Sequence, residues 1–237
     1  EREAAPGGAL PMMGGMPGGM MGGMPSMLGN RNNDFPLIAV ANDESYTNHI
    51  IVRKDDPIGK VKGWNPEYPE VYGSPETIKG KTFLVKSVSG ASYTLANWLE
   101  VFGLTFDDIR MVTMYQDQSL KTFREGVGDG AALWAPQALE LEWDGHVKAS
   151  DVASLHKTLP LVVLAHGKYA EEHPDVIARF LVAFFKSIDK VKSSKPEDLL
   201  DDYLRFYQDF AHTKYNRELA LEDLRTHPVY TLEEQLK

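Results

Sequence analysis

From Phe35 onward the chain alternates short apolar runs with amphipathic stretches. Pro36–Asn42 (PLIAVAN) is a continuous apolar run closed by polar residues, the pattern of a strand buried on both faces. Tyr46–Arg53 (YTNHIIVR) reads as a second strand. Residues 54–74 mix charge with proline and glycine and form a connector. Ser74-Pro75-Glu76 opens a short helix, with a hydroxyl at the N-cap and proline at the first helical position. Lys81–Lys86 is a strand, Ser87–Ser92 a loop of small residues, and Tyr93–Phe102 a helix with Leu95, Trp98, Leu99 and Phe102 on one face, stopped by Gly103. Strand 109–114, helix 116–125, strand 131–134, helix 135–142 and the apolar strand Pro160–Ala165 follow. This alternation predicts a parallel sheet with right-handed crossovers.

The last third is helical. Val176, Ile177, Phe180, Leu181, Phe184, Phe185, Ile188 and Val191 repeat with a helical period and predict a broad core-facing stripe. Pro196–Phe210 is a second helix, with Leu199, Leu200, Tyr203, Leu204, Tyr207 and Phe210 expected inside. A third covers Asn216–Arg225, and a last one begins near Thr231. Residues 7–29 break the pattern. They hold seven of the nine methionines and nine of the twenty glycines. Glycine pairs and prolines resist regular structure, so the segment reads as a low-complexity insertion. Its Met-x-x-Met spacing leaves a second reading open, a thioether site for Cu(I).

Charge and composition narrow the chemistry. The 237 residues carry 25 basic and 34 acidic side chains, a net charge of −9, which disfavours a nucleic-acid partner. The absence of cysteine removes thiolate metal sites, iron–sulfur clusters, disulfides and cysteine nucleophiles. No run of 18 apolar residues is present to span a membrane as a helix. The start, Glu-Arg-Glu-Ala-Ala-Pro, lacks the apolar segment of a secretion signal and reads as cut from something longer. The seven histidines form no HExxH pair. Neither a nucleophile elbow nor a phosphate loop occurs. Gly126-Val-Gly128-Asp-Gly130 precedes a strand, where a dinucleotide loop would follow one. Asp107-Asp108 and Asp201-Asp202 sit at helix starts, where the dipole favours carboxylates. No catalytic residue, metal site or cofactor is expected.

Two features suit binding instead. Ser87–Ser92 joins a strand to a helix, so its backbone amides and the helix dipole favour an anion, with Ser89 and Ser92 expected to add hydroxyl donors. Each serine taken alone is equally a helix cap. Trp134 stands at the carboxyl end of a strand, where ligands dock in open α/β sheets; taken alone it is equally a core aromatic.

The order of several segments carries a resemblance. Ser74-Pro-Glu-Thr-Ile-Lys-Gly-Lys-Thr-Phe-Leu-Val is followed by the serine loop and by Gly103-Leu-Thr-Phe-Asp-Asp-Ile. Then come Gly128-Asp-Gly-Ala-Ala-Leu-Trp-Ala-Pro and Lys168-Tyr-Ala-Glu-Glu-His-Pro-Asp-Val. From Phe35 to Lys192 the chain resembles the nitrate/sulfonate/taurine group of ABC-transporter solute-binding proteins. The resemblance implies a type II periplasmic-binding-protein fold, with two α/β lobes joined by two hinge strands around a ligand cleft. It implies a partial first lobe at 1–53, a second lobe at 54–159 and a returning segment at 160–237 that completes the first. Ile50–Lys54 would be the outgoing hinge strand and Pro160–His166 the returning one. The usual first strand and helix of the first lobe have no counterpart, which implies a fragment.

Carried over by position, Ser89, Gly90 and Ser92 match the anion-contacting helix start. Trp134 and Pro136 match the far-lobe ligand wall, and Ser45, Tyr46 and Asn48 the polar loop before the hinge. Gly8-Ala-Leu-Pro11 matches a near-lobe loop weakly. Val88 departs from the family's usual glycine and Ser92 from its common histidine. The family implies a monomeric periplasmic or extracellular protein that hands a small anionic solute, such as a sulfonate, taurine or nitrate, to an ABC permease. Two alternatives stay open: a thiamine-pyrimidine binding or synthesis protein of the same fold, and a methionine-rich copper protein. The yeast-type pyrimidine synthases carry a cysteine-rich motif that this chain lacks.

Overall fold

The computed structural model describes residues 35–237 apart from 211 and 213. The methionine–glycine segment at 7–29, the Gly8–Pro11 loop and the copper reading therefore lie outside the described residues.

The chain runs β1 (Leu37–Asp43), β2 (Asn48–Val52), α1 (Pro75–Ile78), β3 (Thr82–Val85), α2 (Gly90–Val101), β4 (Arg110–Thr113), α3 (Gln116–Arg124), β5 (Gly130–Trp134), α4 (Gln137–Trp143) and β6 (Val147–Asp151). It returns through β7 (Pro160–Leu164) to the helices α5 (Gly167–Glu172), α6 (Pro174–Ser193), α7 (Pro196–Phe210), α8 (Arg217–Thr226) and α9 (Leu232–Gln235). Five strands form one sheet in the order β4-β3-β5-β2-β6. The chain is α/β, as the alternation predicts.

Alternate residues of each central strand feed opposite faces of this sheet. Ile50, Val52, Phe83, Val85 and Ala132 pack against Ala91, Leu95, Trp98 and Leu99 of α2. Ile51, Leu84, Ala131 and Leu133 pack against Leu120, Phe123, Ala138 and Leu141 of α3 and α4. Gly130 is required at the start of β5: a Cβ there would lie 2.4 Å from the Phe83 ring.

The expectation of a wholly parallel sheet needs correction. β3 runs parallel to β4 and β5, but β2 runs antiparallel to β5 and β6. A central strand is apolar on both faces whichever way it runs, so hydrophobicity does not encode direction. Edge strand β6, sequence VKASD, carries no such run, so hydrophobic patterning does not mark it.

β1 and β7 form a separate antiparallel pair, Leu37 opposite Leu164. The chain crosses between the two sheets at 43–48 and at 151–160. The outgoing crossing therefore precedes β2, and Ile50–Lys54 is not a hinge strand: Ile50–Val52 lie inside the larger sheet. Residues 48–53 accordingly sit with 54–159. The two crossings are tied together, with Glu44 N–H donating to the Leu159 carbonyl at 2.9 Å and Leu159 N–H to Ser45 Oγ at 2.9 Å.

The C-terminal helices fold back on the larger sheet's layer. Leu200, Tyr215, Leu219 and Ala220 pack on Ala135 and Leu139. The Gln235 side chain pairs with both the N–H and the carbonyl of Val40 at 2.9 Å, capping the β1 edge. The α6 stripe is only half covered among the described residues. Phe185 and Ile188 are buried, whereas Phe180 is 47% and Val191 38% exposed. Phe210, expected inside, is 74% exposed.

Candidate ligand-binding site

Helix α2 starts at a reciprocal capping box. Ser89 Oγ accepts from Ser92 N–H at 3.3 Å, and Ser92 Oγ accepts from Ser89 N–H at 2.9 Å. Both hydroxyl protons are also occupied, Ser89 donating to the Lys86 carbonyl at 2.7 Å and Ser92 to the Ser89 carbonyl at 2.9 Å. The expectation that these hydroxyls face a ligand as donors is therefore corrected: they shape the turn. What remains is backbone. Among the described residues, the amides of Gly90 and Ala91 have no acceptor, at the positive end of a 12-residue helix. Ala91 is fully buried.

Asn48 stands beside them. It is 3% exposed, and its Nδ2 donates to the Glu44 carbonyl at 3.3 Å. Its Oδ1 is buried without a hydrogen-bond partner among the described residues. A Cβ at position 90 would lie 2.8 Å from that oxygen and 3.0 Å from a Leu159 methyl, so a larger residue there would push the Asn48 amide aside. In the β2–β5 ladder Asn48 is paired with Trp134. The structure thus brings Asn48, Gly90 and Trp134 together.

The other expected residues separate. Ser45 is buried, with its hydroxyl donating to Asp43 Oδ1 at 2.5 Å while accepting from Leu159, so it stitches the crossings. Tyr46 is half exposed on the turn, where its carbonyl meets His49 Nε2 at 2.7 Å. Pro136 caps α4 and lines, with Trp134, a cavity of about 810 Å³ that Ser89, Gly90 and Ser92 do not line.

Sequence reasoning missed Lys86, Tyr115 and Gln116, which line that cavity with Trp134. β3 pairs with β5 only as far as Val85 opposite Ala132, which leaves the outer edge of Trp134 without a strand. Gln116 takes its place: Oε1 accepts from Trp134 N–H at 3.0 Å, and Nε2 donates to the Trp134 carbonyl at 3.1 Å. Lys86 Nζ lies 5.3 Å from the Tyr115 ring and 6.0 Å from the Trp134 ring, in cation–π range. The available signal was positional, since Lys86 and Gln116 each follow a strand closely.

A partly buried charge cluster braces the first crossing. His227, just past α8, places Nε2 3.5 Å from Glu44 Oε1 and Nδ1 3.2 Å from Asp223 Oδ1. Tyr203 and Tyr215 both donate to Asp223 Oδ2. Burial pushes Glu44 up, but bonds from His227, Thr47 and Asn42 outweigh it and hold the carboxyl at about 2. Burial pushes His227 down, and its contacts with Glu44 and Asp223 reverse this to about 9.

Residues 19–211 match the ABC-transporter phosphonate periplasmic substrate-binding proteins. The chain belongs to this family. A protein of Brachyspira hyodysenteriae described as an ABC transporter periplasmic binding protein is 26% identical over 78% of this chain and 53% of its own. The taurine-binding periplasmic protein of Escherichia coli is 29% identical over 45% of this chain and 34% of its own. The chain spans about half the length of the first two curated relatives it matches. Among solved structures, the periplasmic aliphatic sulphonate binding protein of Escherichia coli superposes with a TM-score of 0.64 at 18% identity, covering 83% of this chain and 60% of its own. At that identity the likeness speaks for the type II binding-protein fold.

Proposed function

We propose that the chain is the solute-capturing part of an ABC importer that works in the periplasm or outside the cell. Its solute would be a small organic anion of the sulfonate or phosphonate type. The observation that carries this reading is the pair of amides at Gly90 and Ala91, without an acceptor among the described residues, at the start of the 12-residue α2. Backbone N–H groups at a helix start can meet an anion without a formal cation. That suits a chain of net charge −9.

The mechanism is closure. Burying a charged solute is costly unless donors replace its water, so the shut cleft must supply them. The solute favours the shut form only through contacts made in that form. The crossings at 43–48 and 151–160 are where such a hinge would bend, and the shut form would dock on a permease. The relatives reported above are named as binding proteins, and we read this chain as one too.

Thermal unfolding of the full chain tests the reading. At a hundred times its Kd, a bound solute adds about 2.7 kcal/mol. For a chain of this size that raises Tm by roughly 5–10 °C. Methanesulfonate, taurine and methylphosphonate form the panel, and no shift with any of them at millimolar concentration refutes the reading. Gly90→Ala crowds the Asn48 oxygen and should weaken binding at least tenfold in isothermal titration. Unchanged affinity would move the site elsewhere.

A further inference from the structure

The cavity of about 810 Å³ opens beyond the carboxyl ends of three adjacent parallel strands. Lys86 follows β3, Tyr115 follows β4, and Trp134 ends β5. In open α/β sheets, crevices at that end bind ligands. The volume falls in the range of small-molecule sites and exceeds what a methanesulfonate-sized head group needs.

Its charges are disposed unevenly. Arg124 is matched, 2.9 Å from Glu140 and 2.7 Å from Asp144. Asp117 is occupied by Gln137, whose Nε2 donates to it at 2.5 Å. Lys86 and Lys214, which also line it, have no carboxylate within 4.0 Å among the described residues. Lys86 is held between two ring faces instead, a contact that fixes an ammonium without neutralising it.

Trp134 joins this cavity to the start of α2. Its side chain packs against the α2-side core and lies 6.0 Å from Lys86, while its backbone pairs with Asn48, which touches Gly90. Gln116 clamps that backbone in place.

We propose that the cavity is a subsite for the far end of the solute and that Lys86 selects a solute carrying a second acidic group there. The preferred ligand class is thus a two-headed organic anion: a sulfonate or phosphonate at one end and a carboxylate or similar acid at the other. This inference rests on the anion-binding reading of Gly90 and Ala91.

The test is isothermal titration of the full chain with two series matched in carbon number, alkanesulfonates and ω-carboxyalkanesulfonates, at fixed ionic strength. At the best length, the carboxylated compound should bind at least tenfold tighter than its plain counterpart. Lys86→Met should cut that ratio to twofold or less, and Lys86→Arg should retain most of it. Equal affinity for the two series in the wild-type chain overturns the inference, and so does a preference that survives Lys86→Met. Binding of alkanesulfonates without any preference sinks only the subsite. Binding of neither series sinks the anion-binding reading itself.

Discussion

At the level of single residues, Val88 is the β-branched residue whose backbone is strained. Its φ is 52°, in the left-handed region, and its side chain is 82% exposed. For a β-branched residue that conformation costs about 1–2 kcal/mol. Glycine would relieve this strain but gains freedom in the unfolded chain, which returns roughly 0.5–1 kcal/mol. Val88→Gly should therefore stabilise by about 0.5–1 kcal/mol, read as a higher urea midpoint with an unchanged slope. A lower midpoint would mean that the valine side chain holds contacts that outweigh the strain. The same scale shows where residue type misleads. Ser89 and Ser92 were legible as helix-start residues, but hydroxyl protons take the nearest acceptor, and here both turn to backbone carbonyls.

Between elements, the telling contact is α8 against the first crossing. His227 faces Glu44 from that crossing and Asp223 from its own helix, while Tyr203 of α7 and Tyr215 crowd Asp223. Tyr207 adjoins Tyr203. The folded histidine is held at about 9, above its ordinary value, so its contribution is complete below about pH 6.5 and fades as pH rises through 9. The folded Glu44 is held at about 2, so its contribution is complete above about pH 4.5 and fades as pH falls through 2. Stability from this cluster should thus be flat between about pH 4.5 and 6.5. The high-pH loss is on the order of 3 kcal/mol. His227→Gln should flatten the pH 6.5–9.5 limb of a urea-midpoint profile. An identical slope in the variant would show that the cluster does not hold the crossing.

For the molecule as a whole, the two sheets are unequally dressed. Helices cover both faces of the five-stranded sheet, while α6 and α7 leave Phe180, Val182, Phe206 and Phe210 in the open among the described residues. Apolar area of that kind binds hydrophobic dyes and promotes association. Phe180→Ser together with Phe210→Ser should lower the dye fluorescence of the native chain and leave its unfolding midpoint within about 0.5 kcal/mol, as exposed positions do. Undiminished fluorescence would place the dye-binding surface elsewhere.

The sequence by itself determined the α/β class, most of the strands and helices, the cap of α2 and the resemblance that led to the family. Each of these is written in neighbouring residues, through period, capping and turn chemistry. The tertiary structure alone decided that β2 runs antiparallel, that the crossing lies at 43–48, that Gln116 completes the Trp134 edge, and that Asn48 is buried against Gly90. It also set Lys86 against the Tyr115 and Trp134 rings. Those facts depend on which side chains meet through space. A residue's own pattern shows that it wants burial or a partner, but the partner comes from strands tens of residues away.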